Sequence, residues 1–160
     1  MPYTHFELLP NCICYLLKSK FHKDAKLSFY NGVVYNNSAL TNSGGGIYCA
    51  YLTTPANIYG GVIAKNTALD DGGGILVGNS KLNMYGGIID RNIARGVPSS
   101  CGGGICGLTA TINISGAKIT NNECGYLGGG VYNQNLNLLK HYYYIQPHCK
   151  NLILHLLLYK

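Results

Sequence analysis

Histidine is missing from the middle of this chain. His5, His22, His141, His148 and His155 all lie outside residues 27–135, so no chemistry carried by that segment uses an imidazole. Charge is scarce as well. Only 11% of residues are charged, and residues 27–135 hold Lys65, Lys81, Arg91, Arg95 and Lys118 against Asp70, Asp71, Asp90 and Glu123. The net charge of +6 therefore sits mainly in the flanks. No basic stripe crosses the middle, which argues against a nucleic-acid partner. Long apolar runs are absent too. The terminal NLILHLLLYK is too short to span a bilayer. MPYTHFELLPNCICYLLKSKFHKD is broken by Glu7 and Pro10, lacks a basic start and is a poor signal peptide.

Cysteine is present but unsystematic. Seven residues at irregular spacing do not make the even-numbered framework of a small secreted domain. Cys12, Cys14 and His22 invite a zinc reading, but zinc sites prefer Cys-x2-Cys spacing and four ligands. No metal and no cofactor is expected. Glycine is absent from both ends: all 22 glycines lie between Gly32 and Gly130. Helix-type spacing of apolar residues is missing between them.

What the middle does have is repetition. GGG stands at Gly44–Gly46, Gly72–Gly74, Gly102–Gly104 and Gly128–Gly130, each time followed by an aliphatic residue: Ile47, Ile75, Ile105, Val131. A phosphate loop would need Lys and Ser/Thr after its glycines, and none follows. A second motif alternates with the first: SFYNGVVYNNSA at 28–39, NIYGGVIAKNTA at 57–68, NMYGGIIDRNIA at 83–94 and NISGAKITNNEC at 113–124. These align without gaps. Asn37, Asn66, Asn92 and Asn122 share one column. Val34, Ile63, Ile89 and Ile119 share another, and Phe29, Ile58, Met84 and Ile114 a third.

A period of 26 to 30 residues built from short alternating runs and turn residues reads as stacked strands. Leucine-rich repeats are excluded by the missing Leu-x-x-Leu-x-Leu pattern, and helical repeats by the density of glycine. The expectation is an all-β parallel solenoid of about four turns over residues 27–135, with about three strands per turn. Off-pattern segments at 1–26 and 136–160 serve as caps or as the edges of a truncated product. The aliphatic columns become internal ladders. The first two are five positions apart, so a corner must separate them, and the GG/NG/GA pair sits there. The asparagine column suits a left-handed turn and amide bonds between rungs.

The alternation of GGG-aliphatic with aliphatic-x-x-Asn resembles the repeats of polymorphic outer-membrane proteins, although glycine replaces alanine in one motif and Val or Ile replaces Phe in the other. The resemblance implies a right-handed parallel β-helix of the pectin-lyase-like class. It also implies a surface-exposed autotransporter passenger at the outer membrane or outside the cell, adhesin-like, with a host-surface protein or a glycan as partner. No membrane span is expected within the chain.

The alternative is a polysaccharide lyase or glycoside hydrolase, since those chemistries share the β-helix. Asp70, Asp71, Asp90 and Arg91 are its candidate residues, because paired carboxylates serve as acid and base. The Gly-His-Gly and Arg-x-Lys that accompany Asp-Asp in galacturonan hydrolases are absent. Asp70-Asp71 therefore reads as a solvated turn and Asp90-Arg91 as an exposed strand end. Threonines share no column, which removes an ice-binding array. Tyr30, Tyr59 and Tyr85, with Ser115 in the fourth place, form an outward aromatic column: it either stiffens the solenoid by cross-strand packing or serves as the candidate binding surface. CGGGIC at 101–106 reads as one rung of the repeat, with Cys101 exposed in the longest turn, RGVPSSC.

Overall fold

A computed structural model of the chain describes residues 26–133 except 42 and 97. Outside them it describes only the strand backbones His5–Leu8, Ile13–Cys14, Ser19–Phe21, Leu136–Leu138, Tyr144–Ile145 and His148–Cys149. The described residues contain no helix. Their strands stack into four parallel sheets, one more than the three expected. The first sheet holds Lys26–Phe29, Ala56–Ile58, Lys81–Met84 and Thr111–Ile114; the second holds Val33–Tyr35, Val62–Ala64, Ile88–Asp90 and Lys118–Thr120. The third has strands of two residues: Ser38–Ala39, Thr67–Ala68, Ile93–Ala94 and Glu123–Cys124. The fourth holds Ile47–Ala50, Ile75–Gly78, Ile105–Leu108 and Val131–Asn133. One repeat visits all four sheets in order, then steps up a rung.

The off-pattern flanks supply strands as well. His5–Leu8, Ile13–Cys14 and Ser19–Phe21 pair with the first turn. Leu136–Leu138, Tyr144–Ile145 and His148–Cys149 pair with the fourth. These segments lack both motifs, so what they share with the repeat is the backbone ladder.

The register sets the sequence columns on top of one another. Phe29 pairs Ile58, Ile58 pairs Met84 and Met84 pairs Ile114. Val34, Ile63, Ile89 and Ile119 stack in the second sheet, and Ile47, Ile75, Ile105 and Val131 in the fourth. All are buried except Val131, which is half-buried against the same core. Each buried aliphatic side chain contributes about 1.5–3 kcal/mol, so these columns are the main source of stability. Ala39, Ala68, Ala94 and Cys124 also form one buried column, where the narrow two-residue sheet leaves room only for small side chains.

Every turn needs sharp corners, and most of them are made by a residue with positive φ. Gly32, Gly61 and Gly87 make the first; Asn36, Lys65, Arg91 and Asn121 make the second. The first glycine of each GGG makes the third, and Tyr51, Asn79 and Thr109 make the fourth. The left-handed place at the second corner is thus the residue before the asparagine column, not the asparagine itself. The ladder asparagine follows the corner, with its side chain aimed inward along the stack.

The two motifs interlock at the third glycine of GGG. A Cβ on Gly46 would lie 2.9 Å from Asn66 Nδ2, one on Gly74 3.1 Å from the Asn92 amide, and one on Gly104 3.0 Å from Asn122 Nδ2. Each glycine leaves room for the asparagine of the next rung.

Candidate functional site

The inner asparagines are fully occupied with one another. Oδ1 of Asn66 accepts from Asn37 N–H (3.0 Å) and Nδ2 (2.9 Å). Oδ1 of Asn92 accepts likewise from Asn66 (2.9 and 3.0 Å), and Oδ1 of Asn122 from Asn92 (2.9 and 3.0 Å). Each Nδ2 also donates to the carbonyl of the aliphatic residue one rung back: Asn66 to Val34, Asn92 to Ile63 and Asn122 to Ile89, at 2.9–3.0 Å. The x-x spacing in aliphatic-x-x-Asn places that carbonyl within reach of the amide above. Asn66, Asn92 and Asn122 have no solvent exposure. This column is structural and offers nothing to a ligand.

The outward face of the first sheet is different. Tyr30 and Tyr59 stack with ring centroids 4.7 Å apart and planes 6° apart; Tyr59 and Tyr85 stack at 5.1 Å and 15°. The three rings are 47%, 43% and 50% exposed. Rung spacing imposes this stack, since parallel strands repeat at about 4.8 Å, close to the contact distance of offset aromatic rings. Among the described residues no ring follows Tyr85. Ser115 takes the next place, with its hydroxyl donating to the Met84 carbonyl at 3.4 Å. The Ser115-side face of Tyr85 thus carries no stacked ring among the described residues.

Two residues earlier on the same face runs a second amide row. Asn113 Nδ2 donates to Asn83 Oδ1 (2.9 Å), Asn83 Nδ2 to Asn57 Oδ1 (3.0 Å), and Asn57 Nδ2 to the Pro55 carbonyl (3.3 Å). These amides are half-buried. The signal was in the sequence: Ser28, Asn57, Asn83 and Asn113 align in one column.

The acidic candidates are not brought together. Asp90 ends a strand of the second sheet, and its Oδ1 accepts from Thr120 Oγ1 and Asn121 Nδ2, both at 2.8 Å. Its Oδ2 pairs with Arg91 at 2.7 Å, and Arg91 is the exposed corner residue beside it. Asp70 is exposed in the turn after the third sheet. Asp71 departs from the solvated-turn expectation. It is half-buried, and its Oδ1 accepts the N–H of Cys101 at 2.8 Å. Burial pushes its carboxyl above the ordinary value, the Cys101 N–H opposes that shift, and Asp70 adds to it. The same position one rung lower is Ser43, whose hydroxyl accepts the N–H of Asp71 at 3.2 Å. Ser43 and Asp71 thus each cap the N–H one rung above, just before the second and third GGG.

Cys101 is buried, contrary to the expectation of an exposed turn, and is disulfide-bonded to Cys106 across the glycines. The RGVPSSC loop turns it away from solvent: Ser100 is buried and donates to the Ala94 carbonyl (3.3 Å), and Cys101 bridges Leu127. With Leu76, the two cysteines form a small apolar cluster on the outer side of the fourth sheet, flanked by Tyr48, Leu127 and Tyr132. The Cys12, Cys14 and His22 side chains lie outside the described residues. No helix among the described residues is long and apolar enough to cross a membrane.

No curated protein and no solved structure matches the chain. Residues 31–50, which span one copy of each motif from Asn31 to Ala50, match the sequence model of the Chlamydia polymorphic membrane protein repeat. That match and the four stacked parallel sheets fit a β-helix repeat of the polymorphic outer-membrane-protein type.

Proposed function

We propose that this chain is a non-catalytic, surface-associated β-solenoid of the autotransporter-passenger kind, acting as an adhesin at the outer membrane or outside the cell. Its ligand is a glycan, bound on the outward face of the first sheet. The observation that carries this reading is the exposed stack of Tyr30, Tyr59 and Tyr85 beside the half-buried amide row of Asn57, Asn83 and Asn113. Sugar rings are held by an apolar aromatic face plus fixed polar groups that bond their hydroxyls. The face of Tyr85 turned towards Ser115, with no ring stacked on it among the described residues, supplies the first, and the tyrosine hydroxyls and amides supply the second. Stacking fixes the rings beforehand, which lowers the ordering cost of binding. A host-surface protein is the other partner compatible with a tyrosine face.

The lyase or hydrolase reading has less support. Both oxygens of Asp90 are engaged by Thr120, Asn121 and Arg91, and Asp71 lies beyond a corner in a separate hollow. The test is a glycan array probed with the purified chain, alongside incubation with polygalacturonate. The expected result is binding of a subset of glycans, loss on Tyr85→Ala, a smaller loss on Tyr30→Ala, and no release of cleaved product. Unchanged glycan binding by Tyr85→Ala, or product release abolished by Asp71→Asn, would overturn the proposal.

A further inference from the structure

Away from the tyrosine face, at the mouth of the third GGG corner, three side chains converge that neither the repeat nor the adhesin reading requires together. Ligand atoms of Asp71, Cys101 and Cys106 lie within 4.8 Å of one another. Their columns explain how unusual this is. The place of Cys101 is taken by Asp71 one rung below and Leu127 one rung above, as the N–H groups of Gly44, Gly72 and Gly102 show by donating to the carbonyls of Asp71, Cys101 and Leu127. The place of Cys106 is taken by Tyr48, Leu76 and Tyr132. Only the third rung carries two sulfurs here, and only the second carries a carboxylate. Asp71 engages Oδ1 with the Cys101 N–H, and Oδ2 accepts no hydrogen bond among the described residues. A hollow of about 370 Å³ opens beside the cluster, with Asp71, Cys101, Tyr126, Leu127 and Tyr132 in its wall.

We propose that Asp71, Cys101 and Cys106 form a thiol-switched zinc site. In the oxidised state the two sulfurs are bonded to each other and bind no metal. An external dithiol attacks the bond from the hollow. It transfers two electrons and two protons to give two cysteine thiols, and is itself released as a disulfide. Zinc then takes the two sulfurs as thiolates, with two protons leaving to solvent. Zn–S bonds of about 2.3 Å in a tetrahedral arrangement place the sulfurs about 3.8 Å apart, so the freed side chains need only swing apart by rotation at χ1. Asp71 Oδ2 is the third ligand. Water from the hollow is the fourth, the open position that a three-ligand zinc site retains. Asp70, next in the chain and exposed, adds negative charge beside the cation. Soft thiolates select zinc over the hard oxygen-seeking cations.

The test is metal titration of the purified full chain, with Co²⁺ as spectroscopic probe and Zn²⁺ as competitor, after reduction by a phosphine and again after reoxidation. The reduced chain is expected to show thiolate-to-cobalt absorption that zinc abolishes, with reoxidation removing the Cys101–Cys106 share of it. Cys101→Ser/Cys106→Ser should lack that share. Asp71→Asn is the second arm. It keeps the disulfide and an oxygen to accept the Cys101 N–H, so it preserves the fold. Losing a ligand should weaken zinc binding by at least ~10–100-fold, the loss that follows removal of a group that only orients a ligand. Two results overturn the proposal: a double-serine variant, folded by circular dichroism, that binds cobalt as the parent does, or an Asp71→Asn chain that titrates identically. If the double variant does not fold, the Asp71→Asn comparison decides alone.

Discussion

The inner asparagines and the glycines they rest on define one another. Replacing Asn92 by alanine removes the acceptor for Asn66 N–H and the donor to the Ile63 carbonyl, both shut away from water. Each orphaned buried group costs about 1–3 kcal/mol, so Asn92→Ala should cost about 2–6 kcal/mol. Asn83 also sits in an amide row, but water reaches that face, and Asn83→Ala should cost no more than about 1 kcal/mol. Thermal unfolding of the two variants compares them directly; equal losses would remove the energetic distinction between inner and outer rows. The glycines make a matching pair. A Cβ on Gly74 would meet the Gly104 carbonyl at 2.6 Å and the Asn92 amide at 3.1 Å, and overpacking of this kind costs about 1–3 kcal/mol. A Cβ on Gly78 meets only Ala50 Cβ, at an ordinary 3.7 Å, and its register partner is already alanine. Gly78→Ala should therefore be neutral or stabilise by about 0.4–1 kcal/mol through loss of chain freedom in the unfolded state. Urea midpoints that fall equally for both variants would contradict this account.

Among the elements, the fourth sheet carries its own reporter. Cys49 lies inside the strand Ile47–Ala50 with no exposure, and burial pushes its thiol up to about 12. The thiolate is the reactive form, so at pH 8 native Cys49 should resist alkylation, and its labelling should follow opening of that rung. Mass mapping of labelled peptides checks this; rapid Cys49 labelling without unfolding would mean the strand opens locally. The fourth sheet was legible beforehand because an aliphatic residue follows every GGG. The third was not: two residues are too few for alternation to show, and its apolar member is alanine three times out of four. The second corner was equally silent. Asn36, Lys65, Arg91 and Asn121 share a left-handed backbone but no side-chain type, so nothing in that column announces a turn. The tyrosine column was visible in the alignment, whereas the Cys101–Cys106 bond was not. It depends on how the RGVPSSC loop, unique to one rung, turns its last residue away from solvent.

Over the whole molecule, each rung touches only its neighbours, so long-range order is built from repeated short-range contacts. That is why gapless columns carried so much of the architecture, and why the flanks, which pair with the body but carry neither motif, did not declare themselves as strands. The two amide rows add a property that belongs to the stack and to no single rung: polarity along its axis. In the inner row the amide N–H groups donate upward, from Asn37 towards Asn122. In the outer row they donate downward, from Asn113 towards Asn57. Neither direction is free to reverse, because backbone N–H and carbonyl groups orient the inner amides and the Pro55 carbonyl orients the outer ones. Bonds within a row polarise one another and gain strength, while the two rows point in opposite directions and so oppose one another's dipoles. Lengthening the solenoid by further rungs of this design would thus strengthen both rows while each offsets part of the field the other builds up.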